Sequence, residues 1–273
     1  MSTSATGVLT RPEETAESPP PQRKRRLPDL RRWLSPLALL VVWQVASSTG
    51  VLPPDKLSSP WTVLQAGVET ARSGELGDAF AVSLGRVAAG FALGAGVALV
   101  LGVAAGLSTW AGVLIDPPVQ MLRTLPFLGL IPVFILWFGI GEEPKILLVA
   151  LGVLFPLYLN IFSALRNVDP DLVEAAKALG YTRRERLLHV LLPSAVPQTL
   201  VGLRQSLGVA WLALIVGETV NADAGLGYLI NNAREFLRTD VIVVGLVVYA
   251  ALGLVTDALV RLVERRALRW RHG

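Results

Sequence analysis

Long apolar segments alternate with short polar ones along most of the 273-residue chain. A helix that crosses the roughly 30 Å hydrocarbon core of a membrane needs about 20 mostly apolar residues. Six segments match or approach this length: residues 34–51, 86–107, 115–140, 145–165, 200–220 and 241–262. Pro126 and Pro132 interrupt the third segment. The pattern predicts an all-α integral membrane protein with six transmembrane helices.

The composition supports a membrane protein. Only 17% of the residues are charged and 52% are hydrophobic, whereas soluble domains carry roughly 25% charged residues. Cysteine is absent and His189 and His272 are the two histidines, so a disulfide framework, a thiolate metal site and a histidine-rich metal site are excluded.

The N-terminal segment differs from the rest of the chain. Residues 1–32 are rich in Ser, Thr, Pro and Glu at first and in Arg afterwards. Such a segment buries too little apolar surface to offset the entropy of ordering. We therefore expect a disordered cytoplasmic tail over 1–32 and a membrane domain over 33–273.

Lysine and arginine are distributed unevenly between the predicted loops. The segments 1–33, 107–114, 166–197 and 262–273 hold most of them. The loops on the other side, 52–85, 141–144 and 221–240, hold four: Lys56, Arg72, Arg234 and Arg238. Because positive loops stay inside, the pattern predicts a multi-pass protein of the bacterial cytoplasmic (inner) membrane with both termini cytoplasmic.

The largest of the predicted cytoplasmic loops begins with a well-specified helix. Asp169 is suited to cap a helix whose first residue is Pro170, and Gly180 is suited to end it in the left-handed conformation. Leu172, Ala175, Ala176 and Leu179 follow a helical stripe in the sequence. The small alanines on this stripe allow another surface to approach closely.

A second short helix is predicted to follow within the same loop. Thr182 and Glu185 form a capping-box pattern, and Pro193 is expected to stop the helix. Three interpretations fit these two helices: a solvated loop, a DNA-binding helix-turn-helix, or a docking element for a cytoplasmic partner. The adjoining apolar segments argue against DNA, because a DNA-reading helix needs a compact core of three helices.

Part of this loop resembles a known signature. The residues concerned are Glu174, Ala175 and Ala176, then Gly180, then Leu192 and Pro193. They resemble the EAA motif of the permease subunits of bacterial ABC importers. The resemblance implies that residues 169–193 form coupling helices that seat on a cytoplasmic ATP-binding subunit, and that 33–273 is a permease domain.

Further segments narrow the resemblance. Residues 135–160, 218–230 and 232–244 are similar to the nitrate, sulfonate and taurine branch of these permeases, and most closely to aliphatic sulfonate permeases. Taurine, nitrate and a pyrimidine precursor remain alternative substrates. The resemblance implies a homodimeric pore, a separate ATP-binding subunit, an extracytoplasmic substrate-binding protein and no nucleic-acid partner.

The chain carries no residues that suggest an enzyme. It has no cysteine, no histidine inside an apolar segment and no GxxxxGK[ST] sequence to hold phosphates. We therefore expect no catalytic residue, no metal site and no cofactor in this chain, with ATP bound by the partner subunit.

Four polar or aromatic side chains inside the apolar segments are candidates for a substrate pathway. They are Arg123, Arg204, Gln205 and Trp211. Charges at membrane depth are costly and usually face a cavity or a partner, and a sulfonate needs positive or hydrogen-bonding groups along its path. The alternative is a structural role, in which each arginine pairs with carbonyl groups or with Asp116, or reaches the interface.

Two further patterns concern helix packing. Arg86 begins the second segment and Glu218 ends the fifth, so the two are able to pair on the outer side. Gly90 with Gly94, and Gly102 with Gly106, are GxxxG pairs that allow close helix contact. The second segment is therefore expected to pack within protein.

Overall fold

The computed structural model describes residues 31–53 and 55–268, and this part of the chain is helical without a β-strand. The all-α prediction is confirmed. In chain order the helices are α1 (Arg31–Ser48), α2 (Pro60–Arg72), α3 (Glu75–Leu107), α4 (Thr109–Arg123), α5 (Phe127–Phe138), α6 (Glu143–Arg166), α7 (Pro170–Ala178), α8 (Arg183–Arg186), α9 (Leu192–Asn221), α10 (Leu226–Glu235) and α11 (Thr239–Ala267).

The chain divides into two units, Met1–Val41 and Val42–Gly273, and the helix bundle belongs to the second. The boundary falls inside α1. Most of the predicted disordered tail, residues 1–30, lies outside the described residues.

Four stretches of helix are long and apolar enough to cross a membrane: Glu75–Leu107, Glu143–Arg166, Arg183–Val220 and Thr239–Ala267. The pair α4 and α5 adds a fifth when it counts as one broken span. The apolar part of α1, Leu34–Ser48, is shorter. The predicted number of six spans is therefore not reached in the described residues, because α1 falls short of the length and the third segment is not one helix.

The third predicted segment breaks at Pro126. Helices α4 and α5 meet there at an angle of 107°. Thr124 ends α4 and Pro126 is the N-cap of α5. A residue that precedes proline is pushed out of the helical conformation, so Leu125 is a natural place for the helix to end. The break leaves Arg123 in the last turn of α4.

Helix α3 packs against α6 along its glycines. A Cβ atom built on Gly90 would lie 2.6 Å from Cβ of Val149, and one on Gly106 would lie 2.7 Å from Cβ of Leu165. Gly94 faces the backbone of Ala150 in the same way. The absent Cβ atoms let the two backbones approach. The predicted close contact through the glycine pairs is confirmed for this face of α3.

Helix α6 is the central helix of the bundle, and half of the residues in its most apolar stretch are buried. It packs against α3, α5 and α9 and contributes to both apolar clusters. One cluster includes Val149, Leu214 and Leu226. The other includes Ala98 and Tyr158. The first lies toward α10 and the second toward the loop between α6 and α9.

Two helices occupy segments that the hydrophobic pattern assigned to loops. Helix α2 begins after Ser59, whose hydroxyl accepts a hydrogen bond from the backbone N–H of Thr62, with Pro60 at its first position. Helix α10 follows Gly225 and packs against α9 and α11. Both are short and partly polar, so a search for long apolar runs misses them.

Candidate functional site

The first helix of the loop 169–193, called the coupling loop below, has the predicted caps. The carboxylate of Asp169 accepts a hydrogen bond from the N–H of Asp171 at 3.0 Å. At the other end Gly180 has φ +80°, and the N–H groups of Gly180 and Tyr181 donate to the carbonyls of Lys177 and Ala176. These paired bonds form a Schellman motif, which requires the left-handed residue. The predicted glycine corner is confirmed.

The second helix also begins as predicted. The hydroxyl of Thr182 accepts from the N–H of Glu185, and the Glu185 carboxylate accepts from the N–H of Thr182 at 2.8 Å. This capping box, mainly through the backbone N–H of Thr182, lowers the pKa of the exposed Glu185 carboxyl.

The prediction that Pro193 stops this helix is wrong. A π-turn over Leu187–Leu191 follows α8, and the N–H of Leu192 donates to the carbonyl of Leu187, five residues earlier. The helix then continues as α9, with Pro193 at its start. Because proline lacks an N–H and crowds the carbonyl four residues before it, the wider π-turn accommodates it. The whole stretch Arg183–Val220 is continuous.

The coupling loop presents apolar side chains without cover from the described part of the chain. Leu172 is 51% exposed and Leu179 is 75% exposed, whereas Ala176 between them is buried. Glu174 and Ala175 are exposed beside them. Large apolar side chains that stay exposed beside charged ones are typical of an interaction surface. This arrangement favours a docking element over a solvated loop.

A cavity of about 310 Å³ lies between α4, α6 and α9. Arg123 and Gln205 line it together, as do Asn160 and the apolar Phe155 and Leu159. Among residues 31–53 and 55–268, Arg123 has no carboxylate oxygen within 4.0 Å. Asp116 accepts instead from Tyr158 at 3.2 Å and from Gln120. The cavity therefore holds a cation without a counter-ion from the described residues.

Three carboxamides form a chain that ends at this cavity. Gln198 Nε2 donates to Asn160 Oδ1 at 2.6 Å, and Asn160 Nδ2 donates to Gln205 Oε1 at 2.9 Å. A Cβ atom on Gly202 would lie 2.6 Å from Cβ of Asn160. Gly202 therefore lets α9 come close enough to α6 for this chain to form.

Arg204 and Trp211 lie away from the cavity, although Arg204 is next to Gln205 in the sequence. Nε of Arg204 is 3.3 Å from Asp257 of α11, and its Nη2 pairs with Glu264 on the same helix. These two carboxylates give Arg204 a structural role. Trp211 is buried in the apolar cluster toward α10 and packs edge-on against Tyr249. Of the four predicted pathway residues, the structure brings together Arg123 and Gln205.

A second polar cluster lies near the start of α10, and we call it the α10 cluster. Its centre is the buried Arg86. Nε and Nη2 of Arg86 donate to the two oxygens of Glu142 at 2.5 and 2.6 Å. Nη1 donates to Glu218 at 2.7 Å and to the carbonyl of Ala224 at 2.6 Å. The predicted pairing of Arg86 with Glu218 is confirmed.

The α10 cluster also caps α10, which has no side-chain cap of its own. The N–H of Leu226 donates to Ser83 Oγ and the N–H of Gly227 donates to Glu218 Oε2, both at 2.8 Å. The hydroxyls of Ser83 and Tyr249 also donate to Glu218, at 2.7 and 3.0 Å. A negative charge at a helix N-terminus is favourable, so Glu218 fixes α10 to α3, α9 and α11.

Glu142 lies in the loop before α6, where Lys145 donates to it at 3.1 Å. The hydrogen bonds from Arg86 lower the pKa of the Glu142 carboxyl to about 2, and Lys145 acts in the same direction. In the described part of the chain, no group of three His, Cys, Asp or Glu side chains is arranged to hold a metal ion.

Comparison with known families identifies this arrangement. Residues 98–269, which include the coupling loop and the cavity, match the family described as the binding-protein-dependent transport system inner membrane component. The chain belongs to this family. A member of it is a membrane permease component of a transporter that works with a binding protein, and this assignment does not favour the helix-turn-helix interpretation.

Curated relatives cover nearly the whole chain. It is 41% identical over 272 residues to the putative aliphatic sulfonates transport permease protein of Bacillus subtilis (strain 168), covering 100% of this chain and 98% of the relative. The corresponding Escherichia coli (strain K12) protein is 48% identical over 87% of this chain and 90% of its own. The E. coli taurine transport system permease protein is 34% identical over 86% of this chain and 87% of its own.

A solved structure supports the same fold. The chain resembles an amino acid ABC transporter with a TM-score of 0.62 at 17% identity, over 73% of this chain and 97% of that one. At this identity the likeness shows the fold alone.

The hydrophobic pattern missed several residues of the candidate site. Asn160 and Gln198 are single amides among apolar neighbours, and that isolation is the signal that marks them. Ser83 and Glu142 carry no comparable signal, since they lie near segment ends where polar residues are ordinary, and Tyr249 is an aromatic residue inside an apolar segment, which is also ordinary. Only the folded chain brings them to Arg86 and Glu218.

Proposed function

We propose that this permease is the membrane subunit of an ATP-driven importer of aliphatic sulfonates. The observation that carries the proposal is the ranking of relatives. Identity is 48% and 41% to the two putative aliphatic sulfonates permeases, against 34% to the taurine permease and 31% to a nitrate import permease of Synechococcus elongatus.

The coupling loop is proposed to engage the ATP-binding subunit. Its exposed Leu172 and Leu179 supply apolar contact, and the buried Ala176 holds α7 against the rest of the chain. Glu174, Ala175, Gly180, Leu192 and Pro193 complete the motif. ATP-driven closure of the partner subunits moves this loop, and α9 carries the movement into the membrane because it continues from α8 without a break.

The proposed assembly contains two copies of this chain, two ATP-binding subunits and one substrate-binding protein on the outside. In this proposal both termini face the cytoplasm, as the lysine and arginine distribution predicts. The chain itself carries out no covalent chemistry, and ATP is hydrolysed by its partner.

Growth on single sulfur sources tests the substrate. A strain without this chain is supplied with an alkanesulfonate, taurine or sulfate as its sole sulfur source, and the intact chain is then restored. We expect loss of growth on the alkanesulfonate alone and full rescue. Unimpaired growth on alkanesulfonates, with impaired growth on taurine or on nitrate as the sole nitrogen source, would contradict the proposal.

A further inference from the structure

We propose that the cavity between α4, α6 and α9 is a binding subsite for the anionic head of an amphiphilic organic anion. This inference rests on the proposed function, since it assigns the sulfonate group of the substrate to named side chains. Arg123 supplies the positive charge and Gln205 the neutral donor. Asn160 and Gln198 are positioning residues that act through Gln205.

The charge balance of the cavity selects anions. Arg123 lies on its wall and has no carboxylate within 4.0 Å in the described residues. Arg204, one residue before Gln205, pairs instead with two acids on α11. An arginine left without a counter-ion inside a membrane segment is costly unless a ligand or water meets it. Its planar group of five N–H donors matches the oxygens of a sulfonate, carboxylate or nitrate.

The chain of carboxamides also leaves hydrogen-bond donors on the uncharged side of the cavity. Asn160 Oδ1 is occupied by Gln198, and Gln205 Oε1 is occupied by Asn160. A carboxamide has one acceptor oxygen and two N–H donors. Gln205 therefore keeps its Nε2 donors, which bond to no other group in the described part of the chain. Gln205 Nε2 and the Arg123 guanidinium therefore both offer donors to a ligand, and this arrangement favours anions over cations.

The remaining walls fit an apolar tail. Phe155, Leu159 and Val209 lie beside the polar groups. The volume of about 310 Å³ is at the lower end of the range for small-molecule sites, roughly 300–1,000 Å³. A short alkyl chain fits these walls, while a small inorganic anion would leave them unfilled. The cavity therefore discriminates an alkanesulfonate from nitrate by its apolar side.

Direct binding to the permease–ATPase complex in nanodiscs, without the binding protein, tests the subsite. The probe is radiolabelled butanesulfonate, with butyltrimethylammonium and butanol as the cationic and neutral analogues. We expect saturable binding of butanesulfonate alone. Arg123→Gln should weaken it at least about tenfold, and Gln205→Glu more, because it places a carboxylate in the cavity. Arg265→Gln, the same change at an exposed arginine near the end of α11, is the matched control.

Two readouts separate a binding role from a structural one. Assembly with the ATPase should stay unchanged in Arg123→Gln, and Arg123→Lys should restore part of the affinity. If Arg123→Gln does not assemble, Gln205→Met decides, since it removes the donors of an exposed side chain at similar volume. Gln198→Leu should weaken binding less than Gln205→Met, because it only releases the amide chain.

The outcomes distinguish this inference from the proposed function. Wild-type affinity for butanesulfonate in both Arg123→Gln and Gln205→Glu overturns the subsite, even when the complex imports sulfonates. Binding of the cation as tightly as the anion also overturns it. A complex that imports no sulfonate but binds butanesulfonate through Arg123 refutes the proposed substrate and supports the anion subsite.

Discussion

The contact between α3 and α6 makes a sharp prediction about two neighbouring glycines. A Cβ atom on Gly94 would fall on the backbone of Ala150, 2.9 Å from both its Cα and its carbonyl carbon and closer still to its oxygen. A Cβ atom on Gly96, two residues later on the same helix, would meet no atom within 4 Å. We therefore expect Gly94→Ala to destabilise the protein and Gly96→Ala to leave it unchanged or slightly more stable.

The size of the effect follows from the geometry. Ordinary contact begins at 3.4 Å, so the two backbones must separate by about 0.5 Å or more, and overpacking of this kind costs about 1–3 kcal/mol. A backbone gives way less easily than the end of a side chain. Against this, alanine is favoured over glycine inside a helix by about 0.5–1 kcal/mol. Gly96→Ala retains only the second effect.

Unfolding of the purified permease in mixed micelles, driven by SDS and followed by tryptophan fluorescence, measures both variants. Gly94→Ala should have about 1–3 kcal/mol less unfolding free energy than Gly96→Ala, because both variants share the helix gain. Gly96→Ala should match or exceed the wild type. Equal stability of the two variants would refute the close approach of α3 to α6. Loss of stability in Gly96→Ala alone would mean that the opposite face of α3 is the packed one.

Four further predictions concern the coupling loop and the α10 cluster. A cysteine placed at Thr182 of this cysteine-free chain should react with an impermeant reagent only from the cytoplasmic side, and labelling from outside would reverse the topology. Gly180 has φ +80° with open space around it, so Gly180→Leu should destabilise the loop by about 1–2 kcal/mol through backbone strain and abolish ATPase binding. Gly180→Asn should retain binding, because asparagine tolerates this conformation. Equal binding of both variants would contradict the expectation. Glu218→Gln should destabilise the protein by about 1.5–3 kcal/mol, since it removes one of the two carboxylates that pair with the buried Arg86 and leaves Glu142 as the other. An unchanged SDS midpoint would contradict the role of Glu218. The pKa of Glu142 is lowered to about 2, so its contribution to the free energy of unfolding should be complete above the unfolded pKa near 4.5 and be lost as the pH falls toward 2. This contribution should stay at or below about 1 kcal/mol, because the side chain is 53% exposed. Glu142→Gln should flatten the dependence of stability on pH over this range, and an unaltered slope would contradict the role of Glu142.

The residues that local chemistry controls were predictable from the sequence. The caps of α7 and α8 depend on Asp169, Gly180 and Thr182, whose side chains or conformations act within three residues of themselves. The glycine pairs of α3 were informative for a similar reason, because they repeat at the spacing of one helix face. Patterns that involve only residues close to each other in sequence can be recognised without the folded structure.

The features that the sequence did not predict depend on contacts between distant helices or on competition between local signals. The α10 cluster adds Ser83, Glu142 and Tyr249 to the predicted pair of Arg86 and Glu218, and these three residues are distant from one another in sequence. Pro193 is the competing case. It was expected to stop a helix, yet the π-turn before it shifts the hydrogen bonds so that the helix continues. A proline alone does not reveal whether a wider turn precedes it.

The continuity of the helix at Pro193 matters for how the permease works. The stretch Arg183–Val220 has 38 residues, which corresponds to roughly 57 Å of helix at 1.5 Å per residue. It begins in the coupling loop, passes the cavity at Gln205 and ends near Glu218 in the α10 cluster. A break at Pro193 would have allowed the loop to move alone. Because the helix is continuous, we propose that a displacement imposed by the ATP-binding subunit on α8 is carried along this one helix to the cavity and to the α10 cluster.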